Sequence, residues 1–339
     1  MKFARSKYWP TIVALALVGC AATTGPTTTP ATTPAISPRV AATRNDSLVV
    51  AHGRLTMTAD HTLGFRVAYP RRGDRLPLIV FSHGAYSSGD DYDPILDAWA
   101  ARGYAVLSVT HRDSVRLGVK RGTNEPRYFA WRLDDMEALL ARLPEAFRSV
   151  PEGERLLRRI DTTKIAAAGH SFGGLVAQTI GGATYFDAAT GATRTRSDPR
   201  VRAVLILSGA GPFPPTLRNE DFATLRVPTF VSVGTEDLAQ APGLTGEQWR
   251  KLPFDLAAPG QKYRLTLRGA DHYFGGSIGR DDLPRAQQAD EYLRLYAAWS
   301  GKFLDAFLRG NRSAARELDA RATPAQVREL APLATFERR

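Results

Sequence analysis

The sequence predicts an α/β fold: a mainly parallel sheet covered on both faces by helices, with an antiparallel N-terminal start. Three observations carry that prediction. Apolar runs of six to eight residues, the pattern of strands buried on both faces, alternate along the chain with segments of helical spacing. The first two extended runs instead alternate in the strand manner and look like an antiparallel start. At 339 residues and 43% apolar content the chain can bury a sizeable core, and it shows neither a glycine period nor heptads.

The elements follow in order. Ser47–Thr58 and Gly64–Tyr69 form the antiparallel start. Leu76–Ser82 (LPLIVFS) is the first buried strand, and Tyr92, Ile95, Leu96 and Trp99 mark a helix that Gly103 stops. Tyr104–Val109 is a second buried strand, followed by a helix bearing Leu133, Met136, Leu139, Leu140 and Leu143. Lys164–Gly169 is a third strand with a helix over Phe172–Gly182 behind it. Val201–Ser208, Pro228–Gly234 and Lys262–Arg268 complete the strands, before a helix over about 286–309. The stretch from 311 to 339 is Arg/Ala-rich with weak helical periodicity, and is set apart as a C-terminal extension of unknown role.

The N-terminus has a different character. Lys2, Arg5 and Lys7 precede the apolar octet Thr11–Val18, which is far shorter than the roughly 20 residues a spanning helix needs. The segment Leu17-Val18-Gly19-Cys20 resembles the lipobox of bacterial lipoprotein signal peptides. That resemblance implies a signal peptide over residues 1–19, lipidation of Cys20, and an exported protein anchored in the bacterial envelope. Ala21 in place of aspartate leans toward outer-membrane sorting. Residues 20–43, Thr/Pro-rich, read as the lipidated cysteine and an extended tether, and residues 44–310 as the catalytic body.

Charge and cysteine content narrow the classes further. The net charge is +11, and removing residues 1–19 with their three cations leaves +8. Of the 45 cationic residues 38 are arginine, yet no run exceeds two, so a clustered nucleic-acid surface is not expected. A mild attraction to anionic membrane surface is compatible with this charge. The lone cysteine excludes internal disulfides and Cys-rich zinc sites.

The chemistry centres on Gly169-His170-Ser171-Phe172-Gly173-Gly174. A G-x-S-x-G pattern acquires meaning from a strand before it and a helix after it, and both are expected here. Ser171 is the candidate nucleophile, lifted to the carboxyl end of the sheet by a tight turn. A serine hydroxyl needs a base. Of six histidines only His272 follows the serine, in a loop just past the last strand. An acid must orient that imidazole. Asp237, just past the strand Pro228–Gly234, is the candidate, with the adjacent Glu236 left open; Asp271 is judged too close to His272 to reach its ring. Two N–H donors for an oxyanion are expected from Phe172 and from Ala85, in the loop Ser82-His83-Gly84-Ala85-Tyr86. His83 is read as bracing that loop. Tyr86, Tyr273 and Phe274 are candidate pocket walls because they adjoin these positions.

Residues 76–305 resemble the α/β-hydrolase superfamily, whose chain order Ser…acid…His they reproduce. Val80-Phe81-Ser82-His83-Gly84, Arg102-Gly103-Tyr104-Ala105-Val106, His111-Arg112-Asp113 and Gly169–Gly174 resemble the platelet-activating factor acetylhydrolase and polyester (cutinase-like) hydrolase branch. The resemblance implies cleavage of carboxylic esters with no metal or organic cofactor. The acetylhydrolases are expected to carry their acid after the preceding strand, where this chain has Ser208-Gly209-Ala210-Gly211-Pro212. An acid at Asp237 fits the polyester-hydrolase and general esterase pattern better. His111-Arg112-Asp113 is read as a loop brace. Segments 209–225 and 238–260 are short for a lid, so an open site and short-acyl or polymeric esters are expected. A peptidase or amidase, an acyltransferase, and a non-catalytic envelope binding protein are the alternatives; neither a nucleic-acid partner nor a metal is expected, and the sequence leaves oligomeric state open.

Overall fold

β1 (Leu48–Thr58) and β2 (His61–Pro70) pair antiparallel, Leu48 opposite Pro70, as their alternating pattern predicts. The computed structural model describes residues 47–238, 241, 243–320 and 330–339. The segment read as a signal peptide, Cys20 and the whole of the expected tether, residues 20–43, lie outside the described residues. β3 (Leu76–Ser82), β4 (Ala105–Thr110), β5 (Ile160–His170), β8 (Val201–Leu207), β9 (Thr229–Gly234) and β10 (Lys262–Leu267) run parallel. A ninth strand, β11 (Ala334–Arg338), closes the edge antiparallel to β10. The sheet order is β1-β2-β4-β3-β5-β8-β9-β10-β11. A separate hairpin joins β6 (Tyr185–Asp187) to β7 (Ala192–Arg194).

Successive side chains of a strand point to opposite faces, so each apolar run feeds two cores. In β3, Leu78 and Val80 enter one core and Ile79 and Phe81 the other. The first core is roofed by α2 (Tyr128–Ala141), α3 (Leu143–Arg148), α4 (Gly153–Arg159) and α5 (Phe172–Ile180), with α6 (Asn219–Phe222), α7 (Gly246–Arg250) and α8 (Leu252–Asp255) beside them. The second is roofed by α1 (Asp93–Ala101), α9 (Ala289–Leu308) and α10 (Arg312–Asp319). Among the described residues no helix is long and apolar enough to cross a membrane.

The end of the chain corrects the sequence-based boundary at 310. β11 belongs to the sheet, and Phe336 packs its ring 4.3 Å from that of Trp299. Its five residues, ATFER, are too short and too charged to register as a strand, which is what a protected edge requires.

Candidate active site

The fold delivers Ser171 where the motif predicts. It sits between β5 and α5, with φ 51° and ψ −117°, a conformation that L-residues rarely hold. Its amide donates to Leu207 O at 2.9 Å, tying the turn to β8. The flanking glycines are steric necessities. A Cβ on Gly169 would lie 2.1 Å from Gly173 O, and one on Gly173 would lie 1.9 Å from Ser82 O. The turn therefore packs backbone against backbone and presents the serine at the carboxyl end of the sheet, with 8% of its surface open.

Past β9 and β10, at the same end, Asp237 and His272 meet. His272 Nδ1 donates to Asp237 Oδ1 at 2.8 Å, with both side chains buried. Oδ1 also accepts the Leu238 amide at 2.7 Å and lies 2.6 Å from Arg250 Nε. Arg250, wholly buried on α7, donates Nη1 to Ser208 O at 2.5 Å. Burial pushes the Asp237 pKa up, but the charges of His272 and Arg250 pull harder and hold the carboxyl below its ordinary range. Burial, then Arg250, lowers the His272 pKa against the opposing pull of Asp237. At neutral pH the pair is therefore a carboxylate and a neutral imidazole, the protonation a general base needs. Glu236 is exposed, and Asp271 Oδ1 is occupied by the amides of Tyr273 and Gly275.

Ser171 is linked to this pair through its neighbour. The His170 ring lies 4.6 Å from the His272 ring, and His170 Nε2 donates to His272 O at 2.8 Å. Burial holds the His170 pKa well down, so its Nδ1 is an acceptor and takes the Tyr92 hydroxyl at 2.9 Å. Tyr92 in turn accepts the Gly84 amide at 2.9 Å. One proton-ordered chain thus couples the loop after β3 to the loop of His272. The Ser171 hydroxyl itself makes no hydrogen bond among the described residues, and nucleophile–base bonds commonly close only with substrate present.

The loop after β3 is braced from below. Arg132, buried on α2, donates to His83 O at 2.5 Å and Gly84 O at 3.1 Å, and binds Asp113 through two bonds of 3.0 and 2.7 Å. Asp113 also accepts the Tyr86 amide, at 3.3 Å. Burial raises the Asp113 pKa, but Arg132 outweighs it and keeps the carboxylate charged. His83 Nε2 accepts the His111 amide at 2.9 Å, so His83 and the His111–Asp113 turn serve as braces. Among the described residues the amides of Ala85 and Phe172 donate to nothing. Both amides therefore have a free N–H, the kind of donor an oxyanion would need.

The bonding order Ser–His–Asp occurs a second time nearby. Ser82 Oγ meets His111 Nε2 at 2.9 Å, and His111 Nδ1 meets Asp135 at 2.8 Å, with His61 on the other carboxylate oxygen. Ser82 and His111 are fully buried and Asp135 is 1% exposed, so no substrate carbonyl can approach this set.

Replacing Arg132 with methionine is expected to cost about 3–5 kcal/mol in denaturant unfolding, because Asp113 would be left buried without a cation. The double variant Arg132→Met/Asp113→Leu should recover part of that loss. A single variant as stable as the wild type would show that the pair braces nothing.

The candidate pocket residues divide. Tyr273 is half-buried with its ring 5.0 Å from that of His272. Tyr86 is 5% exposed and donates its hydroxyl to Thr123 O at 3.0 Å. Phe274 is a correction: it is fully buried, packs at 5.6 Å on Tyr296, and belongs to the core. Arg250, Arg132 and Tyr92 have site roles that no motif announced. Arg132 did leave a trace, a charge one helical turn from Met136 on the apolar stripe of α2. Among the described residues no three His, Cys, Asp or Glu side chains group as metal ligands would.

The model of the family described as "Alpha/beta hydrolase family" matches residues 79–337, well over half of the chain. No curated protein matches it.

Proposed function

The chain belongs to the alpha/beta hydrolase family, and from that premise we propose that it is a serine hydrolase of carboxylic esters. The observation that carries the proposal is that Ser171, on its strained turn, and the Asp237–His272 pair, bonded at 2.8 Å, lie at the same end of the sheet, with the ring of its neighbour His170 4.6 Å from that of His272. In this reading Ser171 Oγ attacks the ester carbonyl while His272 Nε2 takes its proton. The Ala85 and Phe172 amides hold the oxyanion, and Asp237 stabilises the imidazolium through Nδ1. His272 then protonates the leaving alcohol. Water, deprotonated by His272, attacks the acyl-enzyme, releasing the acid and restoring Ser171.

The absence of a carboxylate at Ser208–Pro212 and the position of Asp237 after β9 favour the polyester-hydrolase pattern over the acetylhydrolase one. Between β8, β9 and β10 the described residues form only helices of four and five residues, α6 to α8, which favours short-acyl or polymeric esters. We also propose the lipoprotein reading: a signal peptide over 1–19, a lipid on Cys20, a tether to about residue 43, and a place in the bacterial envelope. The motif around Cys20 supports it, and Cys20→Ser should abolish fatty-acid labelling in cells.

Hydrolysis of a p-nitrophenyl ester series from acetate to long acyl chains tests the function. Turnover should be highest on short chains and fall with length; inertness on every ester would overturn the proposal. Run against pH, the same assay reads His272. Its pKa is lowered in the fold, so kcat/KM should hold as pH falls to 6.5, the ordinary value for histidine, and be lost below it. Removing the charge of Arg250, as in Arg250→Met, should move that midpoint upward. An acid limb centred above 6.5 in the wild type would contradict the assignment.

A further inference from the structure

The arginines that look scattered in sequence converge in space. The loop between β2 and β3 brings Arg71, Arg72 and Arg75, all exposed, to the amino end of the sheet. α4 adds Arg155, Arg158 and Arg159, and Arg102, Lys164 and Arg309 complete the patch. Three surface cavities of about 390, 480 and 460 Å³ lie along it; the second is lined largely by these side chains, and the other two in part. Five carboxylates share the face: Asp74, Glu152, Glu154, Asp161 and Asp305. Asp305 is already bound by Arg102 and Arg309.

The cations have two roles. Arg159 donates to Pro70 O and Gly73 O, both at 2.8 Å, and so holds the loop. Arg72 and Arg158 are exposed and have no partner among the described residues. Arg75 is 85% exposed, with Asp161 only at 3.8 Å. At the opposite end, around the candidate active site, charges of both signs are exposed: Asp281 and Asp282 are paired with Arg116 and Arg280, and Glu236 is exposed. The described chain also starts at the basic end, where Ser47 O accepts the Arg71 amide at 2.8 Å.

We propose that this arginine-rich face docks on an anionic phospholipid surface, with the Ser171 end of the sheet turned away from it. The proposal rests on the Cys20 anchor reading for delivery to a membrane, because a lipid on the segment before residue 47 would bring that end down first. Guanidinium groups match phosphate by charge and by paired N–H donors, and each cation near an anionic bilayer contributes about fivefold in binding.

The test is flotation of the full chain with vesicles of phosphatidylcholine, alone or mixed with phosphatidylglycerol, for the wild type and for Arg72→Gln/Arg75→Gln/Arg158→Gln. Phosphatidylglycerol should strengthen wild-type binding. The triple variant should lose about a hundredfold on the mixed vesicles and nothing on phosphatidylcholine, with its ester turnover unchanged. About half-molar salt, where screening shortens to about 4 Å, should erase the difference. Equal binding of variant and wild type to the mixed vesicles would overturn the proposal. So would retention on duplex DNA without any preference for phosphatidylglycerol, which would make the partner a nucleic acid. Absence of lipid on Cys20 by mass spectrometry, with the phosphatidylglycerol preference intact, would remove the anchor reading and leave the docking face standing.

Discussion

Ser171→Ala is expected to lower kcat on esters by about a millionfold with the fold intact. The size follows from the role: without Oγ no acyl-enzyme forms, and only binding and the oxyanion donors act on attacking water. The intact fold follows from the surroundings. The hydroxyl makes no hydrogen bond among the described residues, and the turn is held by the Ser171 amide on Leu207 O and by the Gly169 and Gly173 contacts. Alanine keeps all of these. Thermal unfolding beside turnover measures both halves. A variant within tenfold of wild type would mean that another group is the nucleophile.

Asp237→Asn should cost about 10⁴-fold in kcat. The carboxylate fixes the proton on His272 Nδ1, leaving Nε2 free to receive the one from Ser171. An asparagine NH₂ in its place would reverse that tautomer. Here the variant should also be less stable, by about 3–5 kcal/mol. Arg250 is buried against Asp237 at 2.6 Å and would lose the one anion it pairs with among the described residues. Chemical denaturation separates this loss from the catalytic one, and Glu236→Gln, at an exposed position, is the control that should change neither. Near-wild-type turnover of Asp237→Asn would return the acid to Glu236.

Much of this was legible in sequence, for reasons particular to the residues. Strands such as LPLIVFS and KYRLTL are buried on both faces and interrupted by helices of clear spacing, so the sheet and its antiparallel start could be placed within a few residues. A glycine pattern that depends on steric contacts marked Ser171, and chain order then restricted the base and the acid. Other parts left no local mark. β11 is a short charged edge strand that becomes one only against β10. Arg250 is another, and Arg132 left only its place on the apolar stripe of α2, because burial of a guanidinium depends on the partner it finds in the fold, here Asp237 and Asp113. Phe274 adjoins the His272 loop yet turns inward at φ 52°, which adjacency cannot reveal. The basic face is the plainest case: its arginines come from separate segments and are gathered only by the sheet's amino end.

The most direct test of the nucleophile is labelling with a fluorophosphonate, followed by peptide mapping. These reagents phosphonylate a serine only where a base and oxyanion donors act together. One adduct per chain on Ser171, formed in the wild type and lost in His272→Ala, is the predicted result. No adduct, or an adduct on a different residue, would contradict the assignment of Ser171 as nucleophile and the mechanism built on it.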